Sequence, residues 1–510
     1  MAKRVSQCGL LLCAMLLGAM PERVHAFCGF YVAGADTSLY ANATMVVLMR
    51  QGTRTVLSMQ NNYQGPPEKF ALVIPVPSVL KQDQVKVLPK AVFEKVDALG
   101  APRLVEYWEM DPCRQLFTED RANFQPTSAA ATTPGAESSH VKVEAQFAVG
   151  EYDVVILSAD DSSALDGWLR ANDYNIPQGA APILAPYIAG GMKFFVAKVD
   201  PARVTFENGQ AALSPLRFHY DTPEFSLPVR LGLLNSQGKQ DLIINILAQQ
   251  RYELANYLNA TIPTNIRVQD DVRNSFASFY EALFARTLQK NPGAVVTEYA
   301  WSAASCDPCP TPPLGPSELA TLGEDVLSSD TQGPGSIAYG FTLTRLHARY
   351  TKESLGEDLI FKAAPPIVGG RGIPDEKGEL SQKLETQQQG VDNFQGRYVI
   401  LHAWDGVMLC RNPQRGSWGG PPDDKTPSGT QSAPNMALRG KPAAAGDLPA
   451  LVAETVTALD VKASHPRDPL ERGSSGCAAL AAPGGTAWFA LAGLCAAGVV
   501  ALIRRRKSRS

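Results

Sequence analysis

Short apolar runs broken by turn residues dominate the first part of the chain. Thr44–Arg50 and Thr53–Met59 flank Gln51-Gly52 and predict a hairpin. Phe70–Val76 predicts a third strand, with Pro75 and Pro77 placing its end at an edge. Leu88–Leu99 changes period: Val92, Val96 and Leu99 fall on one side of a helix. Strand spacing returns at Leu104–Trp108, Val141–Phe147 and Tyr152–Leu157, the last two joined near Gly150. Ser162 or Ser163 can cap a short helix carrying Leu165, Trp168 and Leu169, and a second helix is expected over 179–189. Phe194–Val199, Leu213–Tyr220, Leu227–Leu234 and Leu242–Leu247 read as strands. Val272–Leu288 is the strongest helix, striped by Phe276, Phe279, Tyr280, Leu283 and Phe284. Phe341–Tyr350, Leu359–Lys362 and Tyr398–Ala403 are strand-like again. Strands and helices mix without regular βαβ alternation, so the expected class is α+β, with mixed, largely antiparallel sheets and a few packed helices.

The two ends carry a different pattern. Lys3 and Arg4, an apolar run from Gly9 to Met20, and then Val24-His25-Ala26 have the order of a cleavable secretory signal, with cleavage expected after Ala26. Thr486–Ile503 is an apolar stretch of near-spanning length closed by Arg504, Arg505, Arg506 and Lys507, which predicts a C-terminal transmembrane helix with its basic end in the cytoplasm. Residues 121–140, rich in Ala, Thr, Ser and Pro, read as a flexible insert. Residues 411–476 read as a disordered Pro/Gly/Ser/Ala-rich stalk with a short helix near 448–461. The predicted organisation is a signal peptide over 1–26, a β-rich part over 27–120, the insert, an α+β remainder over 141–410, the stalk, and a sorting and membrane tail over 477–510. A chain of 510 residues is long enough for two domains.

Net charge adds one exclusion. The formal value is −3, yet both ends are basic, so the body between them is more acidic than the total. That balance argues against nucleic acid as a partner. The expected partners are the membrane, through the C-terminal helix, processing peptidases at both ends, and an envelope protein or polymer.

Nine cysteines are present, and five lie in the body: Cys28, Cys113, Cys306, Cys309 and Cys410. In an exported protein they are expected to form disulfides. Cys306-Asp307-Pro308-Cys309 is expected to close a local bridge. A redox pair of this spacing normally opens a helix, which the prolines at 310, 312 and 313 disfavour. Thiol chemistry and half of a zinc site remain the alternatives. Cys28–Cys113 is the expected second bridge, leaving Cys410 unpaired, with exchange of Cys410 into either bridge left open. No cofactor is expected and no catalytic or metal-binding residue is assigned. Ser78-Val79-Leu80-Lys81 matches S-x-x-K without its companion motifs. His219, His347 and His402 sit on strand-like runs and read as packed or surface residues. Asp153, Asp160, Asp161 and Asp166 surround a helix start, where capping is the plain reading and calcium the sharper one.

Several stretches resemble a known bacterial family. They include Phe27-Cys28-Gly29-Phe30-Tyr31-Val32, the run from Val56 to Pro67, Phe70–Pro77, Ala101–Trp108 with Asp111-Pro112-Cys113, Leu165–Leu169, Asn172–Pro177 and Cys306–Pro310. The family is the domain of unknown function numbered 2330, and the likeness spans roughly 27–410. Asp173 stands where the loop pattern usually has Gly, a change that the turn tolerates. The resemblance implies an exported, cysteine-containing bacterial protein and carries over no catalytic residue. Gly476-Cys477, a spacer, the apolar span and the Arg cluster are similar to the myxobacterial C-terminal sorting signal (MYXO-CTERM), which implies processing near Cys477 and display at the cell surface. The function expected is a non-enzymatic envelope binding or structural module. The alternative is an extracytoplasmic enzyme, either a thiol-disulfide oxidoreductase or a hydrolase.

Overall fold

The hairpin forms where the sequence places it, as Met45–Gln51 and Arg54–Gln60, and it seeds an 11-stranded sheet. The computed structural model describes residues 30–31, 40–41, 45–60, 63–64, 71–113, 143–172, 180–207, 210–235, 239–327, 340–351, 353–421, 431–432 and 444–471. The chain divides into a unit Met1–Glu471 and a unit Arg472–Ser510, and every described residue belongs to the first. The signal segment with Ala26, Cys28, the insert at 121–140 and the tail with Cys477 lie outside the described residues. Among the described residues no helix is long and apolar enough to cross a membrane.

The class is α+β. Most strand pairs are antiparallel, but Gln240–Ala248 runs parallel to Met45–Gln51, and Arg397–His402 parallel to Arg103–Glu109. Alternation along the hairpin sends Val46, Leu48, Leu57 and Met59 to one face and Met45, Val47, Met49 and Val56 to the other. The first face packs on a five-stranded sheet that contains Ala71–Val76, Lys193–Val199 and Tyr152–Leu157, through Leu72, Ile74, Phe195 and Val154. The outer face of that sheet, with Val73, Phe194 and Val196, is covered by helices α2 (Ser162–Ala171) and α3 (Ala180–Ala189) through Leu165, Leu169, Leu184 and Tyr187. The other face of the large sheet is covered by Phe93 and Val96 of the helix Lys90–Gly100, α1, and by Leu319 and Leu322 of the helix Pro316–Leu322. Pro75 is tolerated because, among the described residues, Phe30–Tyr31 pairs only with Leu72 and Val73.

The parts over 27–120 and 141–410, expected as parts of one family domain, share a sheet, with Met45–Gln51 and Gln240–Ala248 as neighbours in it. One sequence expectation needs correction here. The stretch 411–476 is not a continuous disordered stalk. Trp418–Gly419 pairs with Arg103–Glu109, and the segment around helix Leu448–Leu451 buries Leu448, Val452, Val456, Leu459 and Val461 against the helix Val272–Lys290, α4. Five apolar residues spaced through a Pro- and Ala-rich stretch suffice to dock it, because α4 offers a ready apolar surface in Phe276, Phe279 and Leu283.

Candidate functional site

On the strand Thr342–Tyr350, alternation places Arg345, His347 and Arg349 on one face. In a half-exposed strand that face would meet water, but here it is covered. A β-bulge makes the difference: on Val295–Ser302, Thr297 pairs with Leu346 and Tyr299 with Arg345, so Glu298 is the extra residue between them. A bulge re-aims a side chain, and the Glu298 carboxylate accepts from Arg345 Nε at 2.7 Å, from His347 Nδ1 at 2.7 Å and from the Tyr280 hydroxyl. Asp241 takes the other side of the ring, 2.8 Å from His347 Nε2, and is itself held by Arg349 at 2.7 and 3.0 Å. Arg345 reaches Asp97 of α1 at 2.6 Å, and Arg349 reaches Glu281 of α4 at 3.4 Å. Phe284 stacks on His347 with centroids 3.8 Å apart.

The side chains of Asp97, Glu298, Arg345 and His347 are each 1–2% exposed. At that depth ionisation follows the partners. Burial alone would pull the His347 pKa down, but Glu298 and Asp241 outweigh it and the net direction is up. Burial would push Glu298 and Asp241 up, and the cations beside them bring both below the ordinary carboxylate range. Glu281 is raised, by burial first and by the nearby Asp241 charge second. Both ring nitrogens of His347 face carboxylate oxygens, so both donate and the ring is an imidazolium. It has no lone pair to offer a substrate. The cluster is an internal ionic clamp joining α1, α4 and three sheet strands.

A second histidine lies nearer the surface. Parallel pairing sets His402 beside Trp108, and their rings stack at 4.7 Å. His402 Nε2 is 2.7 Å from Glu106, whose carboxylate also pairs with Arg273 of α4. Glu106 is buried and His402 and Arg273 are partly open to solvent. This is a carboxylate-oriented imidazole, the arrangement a general base uses. Among the described residues, no hydroxyl or thiol hydrogen-bonds to it. His219 is half-buried, with its pKa lowered by burial first and then by Arg54 and Arg217. Each of the three histidines therefore keeps its own surroundings.

The sulfurs differ from expectation. Cys306 and Cys309 are bonded, with Cα atoms 4.9 Å apart, but Cys113 is bonded to Cys410 across a sequence separation of 297. The expected Cys28–Cys113 bridge and an unpaired Cys410 are thus corrected. Arg103–Glu109 and Arg397–His402 run parallel, so both chains leave the sheet at the same end and carry Cys113 and Cys410 together. Glu109 braces that end by accepting from Arg415 and from the backbone N–H groups of Trp404 and Gly416. Nothing in the sequence spacing signals this pairing, because it depends on a parallel contact between distant strands.

The remaining candidates have local partners. Asp161 caps α2 by accepting from Ala164 N, Asp166 pairs with Arg170, and Asp153 pairs with Arg203. Lys81 of the S-x-x-K match is exposed at a 3-10 turn. Among the described residues, no group of three or more His, Cys, Asp or Glu side chains could hold a metal ion.

A family model described as an uncharacterized protein conserved in bacteria (DUF2330) matches residues 23–362. No curated protein matches the chain, and no solved structure matches it. The matched span covers the hairpin, the five-stranded sheet, most of the large sheet, the His347 clamp and the Cys306–Cys309 loop, and ends before the large-sheet strands Ile367–Gly369, Glu385–Thr386 and Asn393–Gln395, and before His402 and Cys410. On that match over most of its length, the chain belongs to this family of uncharacterized proteins conserved in bacteria, DUF2330.

Proposed function

We propose that this protein is an exported, C-terminally anchored module of the bacterial envelope that binds or braces a partner rather than turning over a substrate. The observation that carries the reading is the Cys113–Cys410 bridge. A disulfide joining segments so far apart is a device of oxidising compartments. The signal order ending at Ala26 and the Arg-flanked apolar span agree with it. The inward-facing ionic clamp supports the non-catalytic half of the reading, since its imidazolium is committed on both sides. The membrane is the partner of the tail, peptidases act near Ala26 and Cys477, and an envelope protein or polymer is the partner of the body.

The test is fractionation of cells expressing a tagged full chain, with sequencing of the mature N-terminus and peptide mapping without reductant. The expected result is envelope protein starting at Phe27 with Cys113 linked to Cys410. Cytoplasmic protein that keeps Met1 or Ala2, with both thiols free, would overturn the reading. One observation favours a second reading. The partly exposed Glu106–His402 pair suits an extracytoplasmic hydrolase. Ester turnover by the isolated protein, abolished in His402→Ala, would favour it over the module.

A further inference from the structure

The Cys306–Cys309 bridge does little for the fold. Its ends are 3 residues apart in sequence, against 297 for Cys113–Cys410. A cross-link over so short a loop removes little freedom from the unfolded chain. It is also asymmetric: Cys306 packs against the core under the large sheet, whereas Cys309 is exposed. Of the two residues, Cys309 is the more open to an incoming thiol.

The surroundings of the loop carry the argument further. Arg103 is fully buried and donates from Nη1 to the Pro308 carbonyl at 2.7 Å, within the loop itself. Its other neighbours are the Leu99 carbonyl and the Tyr299 ring, and none of its partners is a carboxylate. Gln395 donates to the Asp307 carbonyl. Arg397, also buried, is bound to Asn265, Tyr107 and the Gly372 carbonyl, again without a carboxylate. Asp307 is the acidic group of the loop facing Arg397. Redox pairs usually draw positive potential from a helix N-terminus. The prolines after Cys309 prevent that here, and two buried guanidiniums stand in its place.

We propose that Cys306–Cys309 is a thiol-exchange site, open to low-molecular-weight thiols or to the dithiol of a partner protein, while Cys113–Cys410 is the inert bridge. This goes beyond the module reading, which needs no exchangeable bond. A thiolate attacks Cys309 Sγ, a mixed disulfide forms there, and Cys306 leaves as a thiolate in the loop that Arg103 holds through the Pro308 carbonyl. A second thiol attacks the mixed disulfide and releases Cys309. The attacking pair is oxidised to a disulfide by two electrons and the Cys306–Cys309 pair is reduced to two thiols. A cationic setting favours the leaving thiolate and so both the rate and the extent of exchange.

The experiment equilibrates the processed protein with reduced and oxidised glutathione at pH 7, traps thiols by alkylation and maps the peptides. Cys306 and Cys309 are expected to open at a thiol-to-disulfide ratio at least about tenfold lower than Cys113 and Cys410 require, with the near-UV circular dichroism unchanged. Arg103→Gln should raise the required ratio several-fold, and Asp307→Asn should lower it. Should the Arg103 variant fail to fold, the Asp307 variant, at an exposed position, carries the test alone. Opening of both bridges together, opening only on unfolding, or an Asp307 variant that leaves the ratio unmoved overturns the proposal. None of these outcomes bears on where the mature N-terminus begins, so export stands or falls separately.

Discussion

Replacing Glu298 by Gln is the most incisive perturbation of the clamp. It alters almost no volume and removes one negative charge from a side chain 1% exposed. The carboxylate receives Arg345 Nε, His347 Nδ1 and the Tyr280 hydroxyl. An amide can accept through one oxygen only, and its NH2 group would confront a donor. Hydrogen bonds to charged groups contribute about 1.5–3 kcal/mol each, and the amide oxygen can serve only one of Arg345 and His347, so the bond lost on the other side amounts to about 1.5–3 kcal/mol before the unpaired buried cation is counted. Relief of burying the carboxylate offsets part of this, and breaking a buried ion pair by removing one partner typically costs about 3–5 kcal/mol. Denaturant unfolding of the protein should show that loss as a lower midpoint with an unchanged slope.

The pH profile supplies an independent reading. The folded pKa of His347 is raised, so its contribution is full below the unfolded value of about 6.5 and is lost as pH rises through the folded one. The folded pKa values of Glu298 and Asp241 are lowered, so their contributions are present above about 4 and are lost as pH falls through the folded values. The clamp therefore stabilises most in mildly acidic solution. In Glu298→Gln, His347 keeps only Asp241, its folded pKa drops, and the loss of stability toward alkaline pH shrinks. A cost below about 1 kcal/mol, well under the range for a broken buried pair, or an undiminished alkaline slope would refute this account of the clamp.

Other outcomes follow from the same geometry. Cys410→Ser should destabilise by up to about 5–6 kcal/mol on the chain-entropy model, against about 2 kcal/mol for Cys309→Ser, as separate unfolding curves will show. Leu448→Ala should cost about 2–4 kcal/mol and expose 444–471 to protease, because Leu448 is fully buried against α4. Gly370→Ala should misfold or lose several kcal/mol, since its φ is +67° and a Cβ there would lie 1.9 Å from the Gln395 carbonyl oxygen; yield and thermal melting measure it.

Local elements were legible because their signals are local. Gly52 and Gly150 adopt φ of +56° and +55° at the turns that the sequence marks. The five aromatic and leucine positions of α4 are all buried, and Val92, Val96 and Leu99 of α1 are too. Boundaries moved by up to about three residues, and Asp161 rather than Ser162 caps α2. Leu227–Leu234 failed as a strand: Ser226–Leu227 is extended and Arg230–Asn235 turns as a 3-10 helix, tied down by Asp358, which accepts from Val229 N and Arg230 N. The clamp was illegible because Arg345, His347 and Arg349 alternate as an exposed face would. Only the unmarked bulge at Glu298 and the cover of α1 and α4 turn that face inward. The ends of 411–476 misled for the converse reason, since composition reports average polarity, whereas docking requires only a few apolar residues aligned with a surface built elsewhere.

The Cys113–Cys410 bridge also sets a clock. At about 5–20 residues per second of synthesis, the 297 positions between the two sulfurs correspond to about 15–60 s between the appearance of Cys113 and that of its partner. During that interval Cys306 and Cys309 emerge first, adjacent to each other and ready to close. The native partner of Cys113 is thus the last of the five body cysteines to arrive. Reaching it depends on parallel pairing of Arg103–Glu109 with Arg397–His402, a long-range contact of the kind that forms slowly. A chain oxidised too quickly would trap Cys113 on Cys306 or Cys309, so correct maturation is governed by the order in which sulfurs meet oxidant as much as by the stability of the finished fold.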